Sequence, residues 1–240
     1  MRDTAVNESF ATKSVGEIVA EDWRAAAVFE RFGIDFCCGG RRSVADACRS
    51  AGIDVAAVER AVEALPPVEP GDHVSQLPVD RLIDHILLTH HAYVRAALPR
   101  IVSYLAKLIQ VHGGRHPELS RIAATFDGLG DELLQHMRKE EHVLFPYIQE
   151  LFDEEGPIAC PFGTVENPIR MMEREHDAAG VQLHELRTLT GNYTPPPDGC
   201  ATYRVCFEEL AEFDRDLHRH IHLENNVLFP KAVELEASRN

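Results

Sequence analysis

Beyond residue 78 the apolar positions fall into four long stretches of three-and-four spacing. In the first, Ile83, Leu87, Val94, Leu98, Ile101, Leu105 and Leu108 share a face with His91. The second runs Leu129, Leu133, His136, Glu140, Leu144, Tyr147, Leu151, and the third Ile169, Met172, His176, Ala179, Leu183, Leu186. The fourth runs Leu210, Phe213, Leu217, His220, Glu224, Val227. This period marks amphipathic helices. Gly113-Gly114 with Pro117, Gly156 to Gly163, and Gly191 to Gly199 with Pro195-Pro196-Pro197 separate them. Four helices with modest connections predict an up-down bundle.

The preceding residues read as a short helical module. Ser14 is a good cap, and Val15, Ile18, Val19, Trp23 and Ala26 follow at helical spacing until Gly33 stops the pattern. A loop containing Asp35-Phe36-Cys37-Cys38-Gly39-Gly40 precedes two short helices expected near 43–50 and 54–64. The Pro- and Gly-rich run from Pro66 to Asp72 is a linker signal. The expected organisation is all-α: a small helical domain over 1–66, a linker over 67–78 and a four-helix bundle over 79–240.

The stripes carry an anomaly. His136 and Glu140, and again His220 and Glu224, lie four residues apart, so each pair stacks on one helix face. Both are followed at the same offset by Val-Leu-Phe-Pro, Val143 to Pro146 and Val227 to Pro230. His91 precedes His136 by 45 residues, and His176 precedes His220 by 44. A helical hairpin is therefore duplicated, with one histidine on its first helix and a His-x-x-x-Glu on its second.

All six residues stand where aliphatic side chains should fill the core, and no lysine or arginine shares the stripes. A buried, unpaired carboxylate costs several kcal/mol, so it must be neutralised, paired or bound to metal. A lone histidine here reads as a hydrogen-bonded core residue; four at matched positions read as ligands. If Glu140 and Glu224 each bridge, each of two metals has two imidazole nitrogens, two carboxylate oxygens and a shared oxo or hydroxo anion. One octahedral position then stays open. Mixed N/O ligation of that kind suits two non-haem irons better than closed four-coordinate zinc, with manganese or a mixed pair as alternatives. His90 competes with His91, but the repeat favours His91. His218 and His222 fall on the opposite side of their helix from His220, and His112, His116 and His142 lie off the stripes. Glu132 and Glu175 read as solvated charges, with orientation of ligands the competing role.

The formal net charge of −15 argues against nucleic acid and against anionic membranes. No apolar run reaches the roughly 20 residues of a membrane span, and no signal peptide is evident, so a cytoplasmic protein is expected. None of the six cysteines forms a CxxC pair. Cys37-Cys38, ahead of two glycines and Arg41-Arg42, leaves two readings open: a redox, nitrosyl or metal-transfer site, or two small residues filling a turn. Cys48, Cys160, Cys200 and Cys206 read as buried or incidental.

Three motifs together resemble one family: Asp35-Phe36-Cys37-Cys38-Gly39-Gly40, Glu175-His176-Asp177, and Leu223-Glu224-Asn225-Asn226-Val227-Leu228-Phe229-Pro230. The chain is similar over nearly its whole length to the di-iron proteins for repair of iron centres, the RIC or ScdA/YtfE-type cluster repair proteins. The resemblance implies a hemerythrin-like bundle with His91, His136, His176 and His220 as terminal iron ligands and Glu140 and Glu224 as bridges. It also implies restoration of iron–sulfur clusters damaged by nitrosative or oxidative stress, with Cys37 and Cys38 taking part. True hemerythrins carry a fifth histidine; none is evident here. The implied partners are damaged iron–sulfur proteins and nitric oxide, with a homodimer left open. Two competing functions are a nitric-oxide-binding or -reducing protein and a non-catalytic oxygen or nitric oxide sensor.

Overall fold

The computed structural model describes residues 8–65, 74–153 and 158–239. Five short helices come first: α1 (Glu8–Thr12), α2 (Val15–Glu21), α3 (Ala25–Arg31), α4 (Val44–Ala51) and α5 (Val55–Glu63). Ser14 caps α2 through a complete capping box: its hydroxyl accepts from the Glu17 N–H, and Glu17 returns a carboxylate to the Ser14 N–H. The single helix expected across Trp23 is broken. Asp22 ends α2 in an extended conformation, and its carboxylate takes both the backbone and the guanidinium of Arg24 before α3 begins. Asp and Asn commonly compete with helix backbone in this way.

Four rods follow. The first is α6 (Val79–His85), a π turn (Ile86–His91) and α7 (Ala92–His112); the second is α8 (Glu118–Lys139), a π turn (Glu140–Leu144) and α9 (Phe145–Asp153). The third is α10 (Glu166–Leu189) alone, and the fourth is α11 (Ala201–Leu223), a π turn (Glu224–Leu228) and α12 (Phe229–Arg239). No helix among the described residues is long and apolar enough to cross a membrane.

The apolar interior divides in two. One cluster unites Val94, Leu98, Phe126, Leu133, Leu183 and Leu217 with Val15, Phe29 and Phe36 of the N-terminal helices. The other unites Leu82, Ile86, Phe145, Ile148, Ile169 and Phe229. The fully buried His91, Glu140 and Glu224 belong to neither cluster. A polar layer thus lies within the bundle.

The N-terminal helices seat on the fourth rod. Asn226, in its π turn, donates to the Cys37 carbonyl at 3.1 Å. Gly16 and Gly40 close over the same side chain: a Cβ on either would fall within 2.4 Å of Asn226 Oδ1. Trp23 packs on His222, with Arg219 over its indole, and Phe36 lies between His218 and His222. His218 and His222 do face away from the bundle interior, yet not into solvent; burial under the module pushes the His222 pKa down to about 4. The expected linker falls mostly outside the described residues. Its end is pinned, with Lys231 Nζ donating to the carbonyls of Ser75 and Leu77.

Candidate metal centre

Local backbone explains how the six polar residues meet. In two rods the π turn begins at the glutamate: the Phe145 N–H bonds the Glu140 carbonyl and the Phe229 N–H bonds that of Glu224, five residues back. Each turn precedes the proline of the repeated Val-Leu-Phe-Pro. Proline has no N–H to return to residue i−4 and its ring crowds that carbonyl, which a locally widened turn relieves. The third π turn ends at His91. The phenylalanine of each repeat then stacks on its own hairpin's first histidine, Phe145 on His91 at 5.8 Å and Phe229 on His176 at 6.1 Å.

The donor atoms form two quartets, His91/His220/Glu140/Glu224 and His136/His176/Glu140/Glu224, each within 4.8 Å and able to hold a metal ion. Both glutamates belong to both, and each divides its oxygens between them. Glu140 Oε2 lies 3.4 Å from His91 Nε2, while Oε1 lies 3.3 Å from His136 Nε2. Glu224 Oε1 lies 2.9 Å from His220 Nε2, while Oε2 lies 3.1 Å from His176 Nε2. The Nε2 atoms of His136 and His176 are 2.9 Å apart. Two nitrogens about 2.1 Å from one ion and at right angles would be separated by about 3.0 Å.

Two further observations fit a cation here. Both Glu140 oxygens, Glu224 Oε2 and His91 Nε2 are buried without a hydrogen bond. Such atoms are costly unless something satisfies them. The carboxylates also impose a demand for positive charge. Burial opposes protonation of His91 and His136, yet Glu140 and Glu224 outweigh it and raise both pKa values to about 10. Burial likewise works against ionised Glu140 and Glu224, and the facing histidines hold both below the ordinary carboxylate range.

Outward-facing nitrogens fix the rings. His91 Nδ1 meets Glu141 at 2.7 Å, and Arg95 clamps the same carboxylate. His136 Nδ1 meets Glu175 at 2.8 Å, with Lys139 on its other oxygen; the His136 hydrogen bond leads in holding the Glu175 pKa down to about 2. His176 Nδ1 meets Asn225 Oδ1 at 2.8 Å. Carboxylates and amides so placed select the tautomer that presents Nε2 inward. Glu175 is therefore not the solvated charge expected of it. Glu132 does stay outside, accepting from Gln182. Glu141 and Asn225 lie off the apolar stripes, although both directly follow a repeated glutamate. His90 is buried and bonds Asp216 at 2.9 Å, while its ring stacks on His220.

A cleft of about 430 Å³ opens beside His136 and His176, lined by Glu132, Glu175, Lys139 and the apolar Leu129 and Leu133. Cys37 and Cys38 stand outside the quartets, on the docked loop. Their sulfurs are 3.8 Å apart, and the Cys37 carbonyl faces Asn225, the partner of His176. The Cys38 thiol, then burial, push the Cys37 pKa well up. Of the remaining thiols, Cys48 and Cys206 are buried, whereas Cys200 is exposed and His112 lowers its pKa to about 7.

Comparison with known proteins adds a separate line. Residues 82–232 match the family described as Hemerythrin HHE cation binding domain, and residues 11–66 match ScdA_N, a domain of unknown function. The iron–sulfur cluster repair protein YtfE of Musicola paradisiaca (strain Ech703) is 38% identical over 231 residues, spanning 95% of this chain and 99% of that protein. The protein of the same name from Yersinia pseudotuberculosis serotype O:1b (strain IP 31758) is 37% identical over 229 residues, with the same coverage.

Proposed function

The chain belongs to the YtfE-type iron–sulfur cluster repair family, and from that premise we propose that it restores damaged clusters with a dinuclear non-haem iron centre. The observation that carries this reading is the division of the Glu140 and Glu224 oxygens between two histidine pairs. His91 and His220 would hold one iron, His136 and His176 the other, with both glutamates and an oxo or hydroxo anion between them. When bound, the centre supplies exchangeable iron and open positions for nitric oxide. The protein's part is to hold and orient. Glu141, Glu175 and Asn225 fix three imidazoles, the two apolar clusters exclude bulk water, and the cleft beside His136 and His176 gives access. The N-terminal helices between Glu8 and Glu63 act as a unit docked on the bundle, and Cys37 and Cys38 take part in repair. Damaged iron–sulfur proteins of the cytoplasm are the partners, and nitric oxide the small ligand.

The cleft also favours a second reading, binding or reduction of nitric oxide, because it admits a diatomic to the same pair of histidines. Anaerobic incubation of the iron-loaded protein with nitric oxide, and separately with a cluster-damaged dehydratase, distinguishes them. Recovery of the dehydratase with loss of bound iron is expected. Nitrous oxide formation with iron retained would favour the second reading.

A further inference from the structure

The Asp35–Cys38 loop is built more rigidly than a turn requires. Asp35 Oδ1 accepts the N–H groups of Cys37 at 2.9 Å and Cys38 at 3.1 Å, and Oδ2 accepts that of Gly39 at 3.0 Å. Asn226 then anchors the Cys37 carbonyl from the bundle side. This scaffold brings both sulfurs and an Asp35 oxygen within 4.8 Å of one another, with Cys37 Sγ 3.3 Å from Oδ1.

The sulfur separation, that of a hydrogen bond between two thiols, is too long for a disulfide and fits shared ligation of one ion. A disulfide needs about 2.05 Å, well short of the 3.8 Å found. Two thiolates bound tetrahedrally to one ion at about 2.3 Å are separated by about 3.8 Å. We propose that Asp35, Cys37 and Cys38 form a mononuclear site for a thiophilic divalent cation, distinct from the His/Glu centre. Binding breaks two S–H bonds, forms two metal–sulfur bonds and releases two protons to solvent, with no change of oxidation state. The carboxylate completes a three-donor set. A groove of about 610 Å³, lined also by Asp177 and His184 of the bundle, leaves the fourth position to solvent or an incoming ligand. Gly180 of α10 faces the pair, where a Cβ would meet Cys38 Sγ at 3.8 Å, an ordinary contact distance. The proposal takes its two cysteines from the functional reading above but does not need repair activity.

Cobalt(II) is the probe. The reduced, iron-loaded full-length protein is titrated anaerobically while near-ultraviolet thiolate-to-cobalt charge transfer and visible ligand-field bands are followed. The charge-transfer band should saturate at one cobalt per chain. It should vanish in Cys38→Ser, a substitution at a half-buried position, and in Asp35→Asn the cobalt should bind more weakly. Cys200→Ser should leave it intact, which excludes the exposed thiol beside His112. A thermal melt of each variant confirms folding. No charge-transfer band in the parent, one unchanged in Cys38→Ser, or one lost in Cys200→Ser overturns the proposal. Failure of the iron reading would look different, because the His/Glu centre contains no sulfur and gives no such band.

Discussion

The two ligand quartets share both glutamates and a duplicated skeleton, yet they sit in unlike surroundings. Around His91 and His220, the stacked His90 closes the site, and His220 Nδ1 is buried without a hydrogen bond. Around His136 and His176, both outer nitrogens are held, by Glu175 and Asn225, and a cleft reaches the rings. The asymmetry arises where the repeat breaks: His90 stands at the position matching Glu175, and Glu141 at that matching Asn225. Duplication thus supplies two equivalent donor quartets, each able to hold a metal ion, and four unmatched residues make one of them sealed and the other approachable. The approachable one faces the cysteine loop through Asn225.

Removal of a shared glutamate should erase the distinction altogether. Glu140→Ala or Glu224→Ala withdraws an oxygen from each quartet, so iron per chain should fall from two to near zero; full occupancy with an unchanged spectrum would refute the bridging role. Stripping the metal leaves the buried carboxylates to the histidines alone. For metal present at hundreds of times its Kd the lost stabilisation is about 3–4 kcal/mol, or a Tm lower by about 10 °C in a chain of this size. Equal melting of the loaded and stripped forms would contradict that.

Next in size come the residues that orient the ligands. Glu175→Ala should speed release of one iron to a chelator by roughly 10–100-fold, as loss of a ligand's hydrogen-bond partner commonly does, and leave the slower iron little changed. Glu141→Ala should act on the slower phase instead. A single release phase in the parent would dissolve the contrast. Gly40→Ala is the gentlest break. Its Cβ would meet Asn226 Oδ1 at 2.3 Å and the Phe36 carbonyl at 2.6 Å, costing about 1–3 kcal/mol of overpacking. The module should loosen, reported by emission of Trp23, the one tryptophan, which packs on His222. An unshifted spectrum and unchanged Tm would mean the seat is softer than drawn.

The six central residues were legible because polar groups at core positions of a 3.6-residue pattern are anomalous, and because the anomaly occurs twice. The positions around them were not. Glu141 lies about 100° around the helix from Glu140, and Arg95, which clamps it, is 46 residues away on another rod. Glu175 carries ligand orientation as its competing reading, but it reaches across to His136 of a neighbouring rod rather than to its own helix, so no spacing rule assigns it that role. The π turns advance the face by one residue, which is why Phe145 and Ile148 join the core beside the expected Leu144 and Tyr147. The repeat does not mark Glu141 and Asn225 either, because the position after each glutamate holds a different residue in the two halves. Nothing local announces the seat of the module on Asn226: its determinants, Gly16, Gly40 and Asn226, are each ordinary until brought together.

Iron content combined with iron K-edge absorption of the loaded protein tests the dinuclear His/Glu centre most directly. Two irons per chain, nitrogen and oxygen neighbours only, and an iron–iron scattering path are expected. One iron per chain, or a sulfur neighbour at about 2.3 Å that persists in Cys38→Ser, would contradict it.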